Sequence, residues 1–175
     1  MSFDVNMTSP FAPGTFTGGL GGPGTGGHIS PDWYIQYGMD LAASAGTAVY
    51  AAFDAHITRY SAHNPAADSG KIYGAQLFMR APNDMMGGFY THITDVPPEI
   101  TIGSTVALND YLGTVYTFGG IPTHVHLALV EIIGGLPGGT YKGVDLYQWF
   151  LDNGNSPDIV PITFMQNGSP PVPHL

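Results

Sequence analysis

His124-Val-His126 sets two imidazoles two positions apart inside an apolar, β-branched run from Ile121 to Ile133. Read as a strand, the run sends alternate side chains to one face, so both rings project together with Cα atoms about 6–7 Å apart. Converging imidazoles at that separation suit a first-row metal such as zinc. The chain has no Cys, so any metal must be held by His, Asp, Glu or an amide oxygen. An isolated H-x-H fits equally well with two histidines satisfied by neighbours on a sheet, and other residues must decide. Asp40 lies in Gly38-Met-Asp-Leu-Ala42, a short strand among small apolar residues. A carboxylate there is costly unless it is paired, metal-bound or hydrogen-bonded in a turn. His92, at the end of Phe89-Tyr-Thr-His, supplies a third imidazole from a separate strand.

The elements that must position these groups read as β. With 25 Gly and 15 Pro, the chain is rich in turns and poor in long helical patterns. Strands are expected at 38–42, 47–53, 57–61, 71–80, 86–91, 105–107, 112–116 and along the H-x-H run, which ends at Gly134-Gly135. Asp54-Ala55 is read as the turn of a hairpin joining 47–53 to 57–61, and residues 62–70 as a polar loop. Residues 144–151 form the one expected helix, with Leu146, Trp149 and Phe150 on one side. Residues 1–27 read as irregular. Their run Gly18 to Gly27 resembles a phosphate-binding loop only superficially, since no strand precedes it, no helix follows it and no Lys is near. It is read as a flexible loop that wraps the core or borders a groove. The tail from Asn153 is expected to be extended and packed on the surface. The whole is one domain: a Gly/Pro-rich segment (1–27), a core (28–152) and a Pro-rich tail (153–175).

Composition excludes some partners. Net charge is −9 with only 4 Lys+Arg, which argues against phosphate recognition and hence nucleic acid. No apolar run reaches the length of a membrane-spanning helix, and the first 30 residues show no signal-peptide pattern. The 10 Tyr and sparse charge suit a polar, neutral ligand such as a peptide or glycopeptide.

The chemical residues also fall in a familiar order. Gly38-Met-Asp40 precedes Gly46-Thr-Ala-Val49-Tyr-Ala51; Tyr90-Thr-His92, Gly103-Ser-Thr-Val106 and Leu112-Gly113 follow, and His124-Val-His126 closes the series. Over residues 36–132 this resembles the M23 family of zinc metallopeptidases, the lysostaphin or LytM-type peptidoglycan endopeptidases. The resemblance implies a mainly antiparallel β-sheet groove of the duplicated-hybrid-motif type with one short C-terminal helix. It implies a Zn2+ site with Asp40 and His126 as ligands, and His92 and His124 as the non-ligand histidines that orient water and stabilise the oxyanion. It further implies action on peptidoglycan peptides, outside the cytoplasm at the cell envelope or on a phage particle.

Two positions depart from the family pattern. Gln36 stands where H-x-x-x-D has its first His, so by that register Gln36 is the third metal position. A neutral amide oxygen is a poorer zinc donor than imidazole. His28 or His56 could take its place. Ala128 replaces a Glu often found after H-x-H. The alternatives are a degenerate homologue serving as a non-catalytic binding or assembly module and, more remotely, a cupin-like metal protein. A cupin would need Glu131 beside the histidines, but its odd offset from His126 puts it on the other face of a regular strand.

Overall fold

The computed structural model describes residues 1–66 and 73–174. Two strands open the chain, β1 (Phe3–Met7) and β2 (Phe16–Gly21), in the stretch read as irregular. A single helical turn, α1 (Trp33–Gln36), leads into β3 (Met39–Ala43). Next come β4 (Ala48–Tyr50), β5 (Ala55–Ser61), β6 (Ala75–Arg80) and β7 (Met86–Thr94). β8 (Thr105–Val106), β9 (Tyr111–Val115) and the long β10 (His124–Ile133) follow. β11 (Thr140–Val144), α2 (Tyr147–Asn153), β12 (Val160–Phe164) and β13 (Val172–Pro173) complete the order. The expected strand at 71–80 is β6, with residues 71 and 72 outside the described residues, as is the end of the loop expected at 62–70.

Every strand pair among the described residues is antiparallel. The larger sheet runs β2-β3-β10-β7-β6-β5-β8, with β11 on β10 and the pair β4–β9 joined through β7. β10 pairs with β3 on one side and β7 on the other. Its side chains are buried from His124 to Ile132, which explains why this strand reads as an almost unbroken apolar run. Leu127 and Leu129 join Met39, Leu41, Phe53, Leu77, Met79 and Tyr90 in the core. The buried Tyr90 hydroxyl accepts the Ala52 N–H at 3.0 Å, so this polar group is not stranded in the interior.

Two local expectations are overturned. β4 and β5 do not pair with each other: β4 pairs with β9, and β5 lies between β6 and β8. Asp54-Ala55 lacks the Gly that a tight hairpin favours. The Asp54 carboxylate instead accepts the Leu108 N–H at 2.7 Å. The Pro-rich tail is extended, but it is not a surface strap. β12 pairs with β1 from Phe3↔Phe164 to Met7↔Val160, in a second sheet of order β1-β12-β13. Met7, Ile162 and Phe164 are fully buried and belong to the core.

Candidate metal centre

β3 and β10 lie side by side with Asp40 opposite His126, and β7 flanks β10 with Thr91 opposite His126. Strand periodicity turns His124 and His126 to the same face. His92 follows Thr91 directly and reaches that face by a local twist, since its φ is 65°. Gly38 leaves room for the H-x-H pair: a Cβ there would come within 2.1 Å of the His126 ring. α1 packs against β10, and the Tyr34 carbonyl reaches the far side of the same imidazole.

A further imidazole arrives from the glycine-rich segment. His28 Nε2 lies 3.2 Å from Asp40 Oδ1, His126 Nδ1 3.3 Å and His124 Nε2 3.6 Å. His28, Asp40 and His126 each turn one donor atom into a single cluster, all within 4.8 Å of one another. The other nitrogen of each ring faces a backbone carbonyl. His28 Nδ1 bonds Gly22 O at 2.9 Å, His126 Nε2 bonds Tyr34 O at 2.7 Å, His124 Nδ1 bonds Pro122 O at 2.7 Å and His92 Nδ1 bonds Tyr73 O at 2.9 Å. A carbonyl only accepts, so each of these nitrogens carries the hydrogen. A neutral ring then presents a lone pair on its inward nitrogen. Three lone pairs would face one carboxylate, which is repulsive unless a cation lies among them or the rings are protonated.

The carboxylate itself makes the same demand. Asp40 Oδ1 is buried and has no hydrogen-bond partner despite its three imidazole neighbours. Such an oxygen is costly to leave unsatisfied. A divalent cation held by His28 Nε2, Asp40 Oδ1 and His126 Nδ1 would satisfy it. Two imidazoles and a carboxylate with open positions form a donor set that zinc accepts. The outer N–H groups fixed on carbonyls are the second layer that orients metal-binding imidazoles. The residues present therefore fit zinc.

The electrostatics follow from burial and proximity. Burial alone would raise the Asp40 carboxyl, but the His126 and His28 rings outweigh it and hold it well below the usual carboxylate range. The Asp40 side chain raises His28 above the ordinary imidazole value, against the opposing pull of burial. Burial pushes His92 down to about 3, so its ring is neutral at any physiological pH.

These groups line an open pocket of about 250 Å³, completed by Gly27, Ile35, Tyr73, Thr91, Phe118 and Ile121. Phe118 stacks on Tyr73 with ring centroids 4.6 Å apart and touches His92 at 4.5 Å, so one wall is aromatic. Asp40, His92, His124 and His126 thus meet in one place. Gln36 does not line the pocket: it ends α1 with an exposed side chain, and its carbonyl accepts the Gly24 N–H. His56 is also elsewhere, 3.0 Å from Asp84. Glu131 is buried and accepts from the Gln166 backbone N–H and side-chain amide, away from the pocket.

No family model matches the sequence, and no curated protein matches it either. Solved structures do match. Pseudoalterin, an M23 metalloprotease from the deep sea, superposes with a TM-score of 0.55 at 17% identity, over 95% of this chain and 94% of that one. The catalytic domain of lysostaphin from Staphylococcus simulans gives 0.53 at 20% identity, over 78% and 92%. The chain has the lysostaphin fold. A zinc-containing peptidase from Vibrio cholerae shares it at 0.52 and 15% identity, over 81% of this chain and 39% of that one. In this lysostaphin fold the sheet order found here brings β3, β7 and β10 together, and those three strands carry Asp40, His92, His124 and His126. His28 comes from outside them. Its only sequence signal was its presence among the candidates for the position at which Gln36 stands.

Proposed function

We propose that this chain is a zinc-dependent endopeptidase that cleaves peptide bonds in peptidoglycan, with His28, Asp40 and His126 as the metal ligands. The observation that carries the reading is the buried, unpartnered Asp40 Oδ1 beside three imidazole nitrogens whose outer N–H groups are already taken by carbonyls. Zinc bound there would lower the pKa of a coordinated water and polarise the scissile carbonyl. The remaining steps belong to the protein. His124 Nε2, with its Nδ1–H held by Pro122 O, has a lone pair to take the proton of the attacking water. His92 Nε2 likewise accepts, and as a ring kept neutral by burial it orients that water and is ill suited to hold its proton. Once His124 has taken the proton, it becomes an N–H donor to the developing oxyanion and can pass the proton to the leaving amine. Tyr73 and Phe118 offer an aromatic wall to an uncharged peptide backbone.

The case for a non-catalytic binding module drew on the missing His at position 36. His28 supplies an imidazole to the same cluster, which supports the catalytic reading. A peptidoglycan substrate places the work at the cell envelope or on a phage particle. The test is metal content and hydrolysis together. Protein purified without chelator should carry about one zinc per chain. It should cleave peptidoglycan peptides, with no detectable turnover after His124→Ala. Zinc-loaded protein that leaves such peptides intact would refute the reading.

A further inference from the structure

We propose that Tyr147, on α2, is a positioning residue for the metal ligand His28, acting through the glycine segment Gly19–Gly22. The proposal rests on the ligand set given above. Tyr147 does not line the pocket. Its hydroxyl accepts the Gly21 N–H at 3.0 Å, and Gly21 lies opposite Asp40 in the β2–β3 pairing. The next residue carries the link onward: Gly22 O accepts the His28 Nδ1–H at 2.9 Å and the Thr25 hydroxyl at 2.7 Å. The route from Tyr147 to the His28 ring whose Nε2 faces Asp40 is therefore one hydrogen bond, the backbone of Gly21 and Gly22, and a second hydrogen bond.

The glycines have a role in this arrangement. A Cβ on Gly19 would stand 2.0 Å from the Tyr147 hydroxyl, and one on Gly22 would stand 2.5 Å from Tyr147 Cδ2. Neither residue has a positive φ. They are glycines because the tyrosine ring occupies the space, so the glycine-rich run is a cradle for that ring. α2 is in turn fixed at its start, where the Tyr147 N–H donates to Asp145 Oδ1 at 3.0 Å. His28 lies in a loop and not on a strand, and pairing with the rest of the sheet cannot set its orientation. The tyrosine adds a hold on the end of β2 beyond its pairing with β3.

Tyr147→Phe keeps the ring against the glycines and removes only the acceptor for the Gly21 N–H. The probe is zinc alone, titrated into the full chain in competition with a chromophoric chelator, with chelator-treated thermal unfolding measured alongside. Tyr147→Phe should weaken zinc binding about tenfold, the lower end of what loss of an orienting partner costs. The same substitution in a His28→Ala background should change the residual affinity not at all, because the effect passes through His28. Gly19→Ala, which drives a methyl group into the hydroxyl, should show the same dependence on His28. An equal loss in both backgrounds would mean a general structural effect and overturn the proposal. A zinc affinity that falls on His28→Ala but is untouched by Tyr147→Phe overturns the link alone. An affinity indifferent to His28→Ala overturns the ligand set, and the link with it.

Discussion

The carbonyls of Gly22, Tyr34, Tyr73 and Pro122 decide which nitrogen of each imidazole is left to do chemistry. Residue types alone suggested Asp40, His92, His124 and His126, because strand periodicity and burial cost act on each within a few positions. His28 was not legible in the same way. It precedes Asp40 closely in the chain but lies in a loop, and the stretch between them, with the single turn α1, has no strand period that turns its ring toward Asp40. Zinc affinity tests the distinction: His28→Ala should weaken binding on the order of 100-fold or more, since even an orienting partner is worth 10–100-fold. Gln36→Ala should leave it within about twofold, given an exposed side chain outside the pocket. His92 gives a test in pH. The unfolded chain takes a proton on this ring near 6.5, the folded chain only near 3. Between those values the unfolded state binds more protons, so the contribution of this group to stability is complete above 6.5 and is lost as the pH falls toward 3. His92→Asn, which suits a φ of 65°, should therefore lose less stability than the native chain between pH 7 and pH 5. Denaturant unfolding in the presence of a chelator checks this; equal losses would contradict it.

At the level of elements, the site depends on close approach between β3, β7 and β10. Gly38 precedes β3 and lets the His126 ring lie against bare backbone. Gly38→Ala should push that ring aside, at a cost of about 1–3 kcal/mol for overpacking. The expected result is at least a tenfold loss of zinc affinity in a protein whose circular dichroism is unchanged. The strands that position the site were readable because each is an apolar run set off by turn residues. The partners of those strands were less readable. Pairing of β4 with β9 joins Val49 to Gly113, and nothing near Asp54 announces it. β11 went unread for a different reason: its Thr-Tyr-Lys-Gly-Val sequence is mostly exposed and carries no buried alternation. α1 is a single turn, too short for a helical period to show.

Across the whole molecule, the surprise is how far the ends of the chain take part in the core. Glycine and proline content hid β2, β12 and β13, since both residues count against strands in any local reading. Pairing across the full length of the chain supplied what local preference did not. Phe164 is fully buried and stacks on Phe3 with ring centroids 5.4 Å apart. Phe164→Ala should cost about 3–5 kcal/mol, seen as a lower midpoint in urea with the same slope; a change under about 1 kcal/mol would show that the second sheet is an ornament to the core. The sheet also sets a schedule. Asp4 and Thr163 are hydrogen-bonded partners 159 residues apart, and His28 meets His126 only after β10 exists. At ~5–20 residues per second, roughly 10–30 s of synthesis pass between the two halves of that first pair. For that interval the apolar side of β1, with Val5 and Met7, has no strand to lie beside. β1 thus waits long for its partner during synthesis, and a chaperone that delays folding until β12 is made would find a binding site there.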